Sequence, residues 1–263
     1  MAIPENMNEL ILPERRKKMV RNFGHRGFSG NYPENTRLAF QKAIETPGCD
    51  GIEMDVHLTK DGELVIIHDE LLDRTAVNMK GYVKDYTLDE LKKADLSFRF
   101  AGQVEPQQIM TLREYLELLE PTKLITNIEL KTGIFVYEGI EKKVMDLVRE
   151  FDMVDRIIIS SFNHYSVMRT KEICPEIKCG FLTESWLLNP GKYVKDAGVE
   201  CYHPIFYNNT KEIVEGIKKE GIEINTWTVN NEEDIRAMIS VGVDTIIGNF
   251  PDRISAIRKE MCG

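Results

Sequence analysis

Two hydrophobic periods alternate along most of this chain. Short β-branched runs give way to longer segments whose apolar positions recur every third or fourth residue. The short runs predict strands at Val20–Gly24, Gly51–His57, Leu124–Leu130, Arg156–Ser160, Lys178–Leu182, Val199–His203, Glu223–Val229 and Val243–Gly248. The longer segments predict helices between them. Thr36–Thr46 carries Leu38, Ala39, Phe40, Ala43 and Ile44, with Asn35 or Thr36 as its cap. Tyr137–Phe151 repeats Ile140, Val144, Leu147, Val148 and Phe151. Thr210–Lys219, Asn231–Val241 and Pro251–Glu260 complete the series, the last two starting on residues favoured at helix N-termini. Eight strands alternating with helices predict an α/β fold, a closed (β/α)8 barrel, and 263 residues suit the roughly 250 such a barrel needs.

One stretch departs from this alternation. After the second strand, Lys60-Asp61-Gly62 reads as a turn, and Glu63–His68 as a strand paired back on its predecessor. Asp69 to about Met110 then reads as an inserted subdomain before the next barrel helix, Thr111–Leu119. With no Ser/Gly-rich linker, the expectation is a single barrel domain over residues 1–263 with an insertion at about 69–110.

Composition narrows the function. A hydrophobic fraction of 42% supports a large core, and no apolar run reaches the length of a membrane span. The start of the chain lacks a signal-peptide core, so a cytoplasmic protein with no stable membrane anchor is expected. A net charge of −9 argues against nucleic acid; the one basic run, Arg15-Arg16-Lys17-Lys18, reads as solvated surface. The five cysteines, Cys49, Cys174, Cys179, Cys201 and Cys262, are odd in number and lack CxxC spacing, which fits buried thiols better than disulfides or zinc. No face for oligomerisation stands out.

Barrel enzymes work at the C-terminal ends of their strands. There the sequence places His25 and Arg26; Glu53, Asp55 and His57; His68; Glu129 and Lys131; Ser160, Ser161 and Phe162; His203; and Asn225 and Trp227. Strand side chains alternate, so Glu53, Asp55 and His57 share one face and the apolar Ile52, Met54 and Val56 the other. The charged face must then point into the barrel. Facing carboxylates are costly without a cation, and Glu53, Asp55 and Glu129 are hard oxygen ligands suited to one divalent ion, Mg²⁺ or Ca²⁺, with Mn²⁺ also acceptable. His203 is evenly balanced between site and core, and His164 reads as structural. Ser160 and Ser161 form no nucleophile motif.

GHRG with PENT, then GIEMDVHLTKDGELVIIHDE, NIELK, ISSF, TWTVN and GNFPDR, in that order over nearly the whole chain, resemble the glycerophosphodiester phosphodiesterase family. The resemblance implies a barrel with a subdomain after strand 2. It also implies a metal-dependent hydrolase that splits glycerophosphodiesters into an alcohol and glycerol 3-phosphate. By motif position, His25 and His68 would be the general acid and base, and Glu53, Asp55 and Glu129 the metal ligands. Arg26 and Lys131 would contact phosphate, and Phe162 and Trp227 would contact substrate, Trp227 as a wall for the glycerol part. His57 stands where the family often has Gln, and Ala76–Gly81 departs from the family's usual run, which bears on the leaving-group side.

The residues themselves suit that chemistry. A phosphodiester gains charge on hydrolysis, which a cation and a planar guanidinium can stabilise, while two histidines divide the proton transfers. On this reading the glycines around His25-Arg26 let the backbone approach the ligand. The assignment of acid and base stays open, as does the nucleophile, water or a glycerol hydroxyl. Two other functions fit less well: a lysophospholipid-directed phosphodiesterase, whose apolar entry Leu71, Leu72, Phe98 and Phe100 would supply, and a catalytically silent barrel that binds a phosphorylated metabolite.

Overall fold

The structure is a computed structural model describing residues 19–262. The basic run at Arg15–Lys18 and the side chain of Cys262 lie outside what it describes. Eight parallel strands close into a barrel in the order β1 (Arg21–His25), β2 (Gly51–Leu58), β5 (Ile125–Leu130), β6 (Ile157–Ser161), β7 (Lys178–Thr183), β8 (Cys201–Pro204), β9 (Glu223–Thr226) and β10 (Thr245–Gly248). Closure comes from β10 pairing with β1, Phe23 opposite Ile247, while β1 also pairs with β2. The expected return strand is β3 (Leu64–Ile66), antiparallel to the end of β2 with Val56 opposite Ile66, and β4 (Met110–Thr111) extends it.

Helices follow the strands. Thr36 caps α1 (Arg37–Glu45), its hydroxyl accepting from the Ala39 N–H at 3.3 Å. Thr111 and Glu114 form a capping box on α3 (Leu112–Leu119). Then come α4 (Ile140–Glu150), α5 (His164–Ile173), α6 (Pro190–Asp196), α7 (Lys211–Lys219), α8 (Glu232–Val241) and α9 (Pro251–Cys262). The short α2 (Leu88–Leu91) lies within the insertion.

Two strands, β8 and β10, begin two residues later than the apolar runs suggest, because helix ends claim their first residues. The Val199 N–H bonds the Val194 carbonyl and the Val243 N–H bonds the Met238 carbonyl, closing α6 and α8 around Gly198 and Gly242. These valines are apolar caps rather than ladder residues.

The core has two main parts. Ile52, Met54 and Val56 face outward from β2 into a layer that includes Phe40, Ala43, Tyr115 and Leu116 from α1 and α3. Each such side chain contributes about 1.5–3 kcal/mol on burial. The segment between β3 and β4 has its own cluster, in which Leu72, Ala76, Val83, Leu91 and Leu96 pack with Val65 of the return strand and Ile67 just after it. The insertion is thereby fixed over one side of the strand ends. No described helix is long and apolar enough to cross a membrane.

Candidate active site

Parallel register builds the site. His25 lies opposite Glu53, and Asp55 opposite Glu129. Opposed residues share a face, so one imidazole and three carboxylates converge inside the barrel mouth. All three carboxylates are buried, and each offers an oxygen within 4.8 Å of the others. Burial, with Asp55 and Glu129 alongside, pushes Glu53 well above the usual carboxylate range. Burial and Asp55 also raise Glu129, although Lys131 Nζ sits 2.7 Å from its Oε1. Asp55 goes the other way: burial opposes ionisation, but His68, Lys131 and Arg26 together outweigh it. Asp55 Oδ1 is buried and has no hydrogen-bond partner. A fully buried carboxylate oxygen with free lone pairs, between two carboxyls that resist ionising, fits a divalent cation's coordination shell.

The loop after β1 is held by its own charges. Arg26 sits at φ +53°, its N–H donating to Glu53 at 3.0 Å and its guanidinium to Glu34 at 2.8 Å. Its Nε is buried without an acceptor, 3.6 Å from Asp55 Oδ2. Asn35, at φ +56°, donates its amide to Asp55 at 2.8 Å, leaving the helix cap to Thr36. The glycines have a reason within the fold itself. A Cβ on Gly27, at φ +80°, would meet the Ala39 backbone at 2.7 Å, and one on Gly24 would meet the Gly27 carbonyl at 2.8 Å. Their lack of a side chain lets the loop fold onto α1.

The two histidines differ in their partners. His25 Nδ1 lies 2.6 Å from Asn249 Oδ1, which leaves Nε2 with the free lone pair, 3.8 Å from Glu53. Burial, with the Arg26 charge beside it, pulls His25 down to about 3. His68 instead has a carboxylate behind it, Asp69 Oδ1 at 2.5 Å from Nδ1. Asp69 is gripped by Arg74 at 2.6 Å, and Arg74 forks onto Glu34 at 2.6 and 2.7 Å. Glu34 reaches Arg26, and these cations hold it down at about 2 against its burial. A chain of alternating charges thus runs from His68 to Arg26. From sequence Asn35 is only a candidate helix cap, and Asn249, Asp69 and Arg74 carry no role; the first three lie inside the PENT, GNFPDR and HD motifs, while Arg74 comes from the insertion and only the fold brings it here.

His25, Arg26, Glu53, His68, Glu129, Phe162 and Trp227 line one cleft of about 90 Å³. Phe162 and Trp227 meet edge to face with centroids 5.5 Å apart, and the Trp227 indole donates to the His203 carbonyl at 2.9 Å. Lys131, on Glu129, is 3.8 Å from Asp55. His57 lies outside the cleft, between the Tyr137 hydroxyl at 3.0 Å and the His68 carbonyl at 3.1 Å, so it anchors the end of the return strand. His203 is core: it takes the Asn225 amide at 3.0 Å beneath Gly180. His164 bonds Tyr193 and the Leu182 carbonyl. Ser160 accepts from Asn127, and Ser161 donates to the Leu130 carbonyl.

A (β/α)8 barrel with buried carboxylates and paired histidines at its strand ends belongs among the barrel enzymes. Comparison with known proteins narrows this. Residues 25–253 match the glycerophosphoryl diester phosphodiesterase family. A glycerophosphodiester phosphodiesterase of Caldanaerobacter subterraneus subsp. tengcongensis is 45% identical over 236 residues, 89% of this chain and 96% of the relative. One of Bacillus altitudinis is 45% identical over 92% of this chain and 100% of its own. A phosphodiesterase of Oleispira antarctica, solved in complex with the product sn-glycerol-3-phosphate, superposes with a TM-score of 0.84 at 25% identity, covering 92% of this chain and 97% of that one. The chain belongs to the glycerophosphoryl diester phosphodiesterase family and is an enzyme of that phosphodiesterase class.

Proposed function

We propose that this cleft hydrolyses small glycerophosphodiesters to an alcohol and sn-glycerol 3-phosphate, with Glu53, Asp55 and Glu129 holding one divalent cation. The observation that carries the reading is the convergence of three buried carboxylates, one with an unpartnered oxygen, at a cleft that both histidines, Glu53 and Glu129 line. The product bound to the Oleispira antarctica relative supports the substrate class. Mg²⁺, Ca²⁺ and Mn²⁺ all suit this oxygen set. Such an ion supplies a Lewis acid for a phosphoryl oxygen.

The chain's own residues do the rest. Arg26, with a buried donor unspent, and Lys131 neutralise the non-bridging oxygens. Phe162 and Trp227 wall the glycerol part. His25 is kept neutral by burial and by Arg26, with Nε2 free, and so takes the nucleophile's proton. Asp69 behind Nδ1 holds the His68 ring in the cleft, and His68 gives a proton to the leaving alcohol. One water is consumed: its oxygen ends on phosphorus, one of its protons passes to His25, and the alcohol leaves with the proton that His68 gives. The buried free cysteines, Cys49, Cys174, Cys179 and Cys201, fit a reducing, cytoplasmic setting.

Product analysis after incubation with glycerophosphocholine and divalent ion tests the reading. Equimolar sn-glycerol 3-phosphate and choline are expected. Phosphocholine and glycerol would place the cleavage on the wrong side of phosphorus and refute the assignment.

A further inference from the structure

Asn127 stands on β5 two residues before Glu129 and directly opposite Glu53 of β2. Ile128 between them packs outward into the main core, so alternation turns Asn127 and Glu129 inward together. Asn127 is buried, and it lines the same cleft as Glu53, Glu129 and the two histidines. Its Nδ2 donates to Ser160 Oγ of β6 at 3.0 Å. Because β5 lies between β2 and β6, an amide whose nitrogen is drawn toward β6 turns its oxygen toward β2 and Glu53. That oxygen, Oδ1, is buried and has no hydrogen-bond partner. Asn22, Asn35, Asn208 and Asn209 also bury an unpartnered Oδ1, but none of the four lines the cleft.

The donors nearby face other acceptors. Arg26 gives its N–H to Glu53 and its guanidinium to Glu34, Lys131 gives its ammonium to Glu129, and His25 Nδ1 faces Asn249. A carbonyl oxygen sealed from water is a cost to the fold unless a ligand relieves it. A substrate hydroxyl is the wrong size, being as large as the water that the packing already excludes. A bare cation is smaller: it draws its oxygens to about 2.0–2.6 Å, inside the roughly 2.7–2.8 Å of a hydroxyl hydrogen bond. Asp55 Oδ1 shows the same combination of burial and missing partner, at the centre of the three carboxylates. An amide carbonyl is a hard oxygen donor that Ca²⁺ accepts beside carboxylates. It adds a ligand without setting a fourth negative charge against an anionic diester.

We propose that Asn127 Oδ1 is a fourth protein ligand to the divalent cation of Glu53, Asp55 and Glu129, with Ser160 holding the amide in the binding orientation. This ligand set rests on the reading of the carboxylates under Proposed function and extends it to a neutral donor. It also separates the candidate ions. Ca²⁺ takes roughly six to eight oxygens and draws many of them from protein groups, whereas Mg²⁺ keeps several waters and uses about one or two carboxylates. Loss of a fourth protein oxygen therefore falls more heavily on Ca²⁺.

The test is isothermal titration of chelator-stripped protein with Ca²⁺ and, separately, with Mg²⁺. Asn127→Leu is expected to weaken Ca²⁺ binding at least tenfold, the scale on which groups around a metal act, and Mg²⁺ binding by less than about threefold. Asn127→Asp, which keeps an oxygen there and adds charge, is expected to bind Ca²⁺ more tightly than the wild type. Ser160→Ala is expected to fall between Asn127→Leu and the wild type. Unchanged Ca²⁺ affinity in Asn127→Leu, or an equal loss for both ions, would overturn the proposal and leave the amide as a bridge between strands. If Asn127→Leu lacks cooperative unfolding in urea, Asn127→Asp decides: tighter Ca²⁺ binding supports the fourth ligand, and unchanged or weaker binding by folded protein overturns it. A wild type that binds neither ion sinks the carboxylate reading as well. A wild type that binds, with no change in any Asn127 variant, sinks only the fourth ligand.

Discussion

At the residue scale, His68 owes its place to two contacts from outside its own strand. His57 holds its carbonyl and Asp69 its ring, and Arg74 ties Asp69 to Glu34 and Arg26. Arg74 is therefore a positioning residue with no place in the cleft. Arg74→Ala is predicted to lower kcat about 10- to 100-fold, the range for residues that orient a working group. Arg74→Lys should recover part of this, because it keeps the charge and loses the fork. Unchanged kcat in Arg74→Ala would show that the charge chain does not matter to turnover. Replacing His25 or His68 by Ala is predicted to cost roughly two to four orders of magnitude in turnover, with cooperative unfolding retained. Near-native turnover in either variant would remove that histidine from the mechanism.

At the element scale, strand register does what sequence pattern predicts, and helix ends and loops do what it does not. Alternation along Gly51–His57 was enough to send Glu53 and Asp55 inward, because Ile52, Met54 and Val56 leave no other arrangement. It also sent His57 inward, but could not show that the strand outruns the barrel there to pair with β3, taking that imidazole away from the cleft. The valines that cap α6 and α8 carry a strand signal in the sequence because an apolar cap and a strand start look alike in one dimension. His203 was undecidable for a related reason: its neighbour Gly180 is distant in sequence and reserves space for its ring. A Cβ on Gly180 would come within 2.3 Å of His203 Nε2. Gly180→Ala is thus predicted to destabilise the protein by about 1–3 kcal/mol in urea denaturation. Adding His203→Ala should return part of that loss, since the two effects share one volume; simple additivity would argue against the clash.

At the scale of the whole molecule, the two ends of the barrel are specialised. The C-terminal end carries the cleft and its charge chain. The N-terminal end carries ion pairs, among them Glu223 with Arg21 at 2.6 Å and with Lys178 at 3.0 Å. Burial works against Glu223, yet Arg21 and Lys178 hold it at about 2, below its ordinary 4.5. A depressed folded value means that the stabilisation is present above about 4.5 and is lost as pH falls toward 2. Glu223→Gln should therefore unfold with a shallower pH dependence in that window, measured by denaturation at several pH values. An identical slope would show that these pairs do not contribute. The barrel, its return strand and seven of the cleft-lining residues were legible from alternation and motif order; Leu182 and Glu184, which line the same cleft, were not, since only the fold brings them to it.

The central claim is that three carboxylates hold an ion without which the diester is not cleaved. The most direct measurement is sn-glycerol 3-phosphate release from glycerophosphocholine by chelator-stripped protein, as Mg²⁺, Ca²⁺ or Mn²⁺ is returned. The account predicts no release until an ion is added, recovery in the wild type, and none in Asp55→Asn. Full release in the presence of chelator, or none from folded protein with any of the three ions, would contradict it.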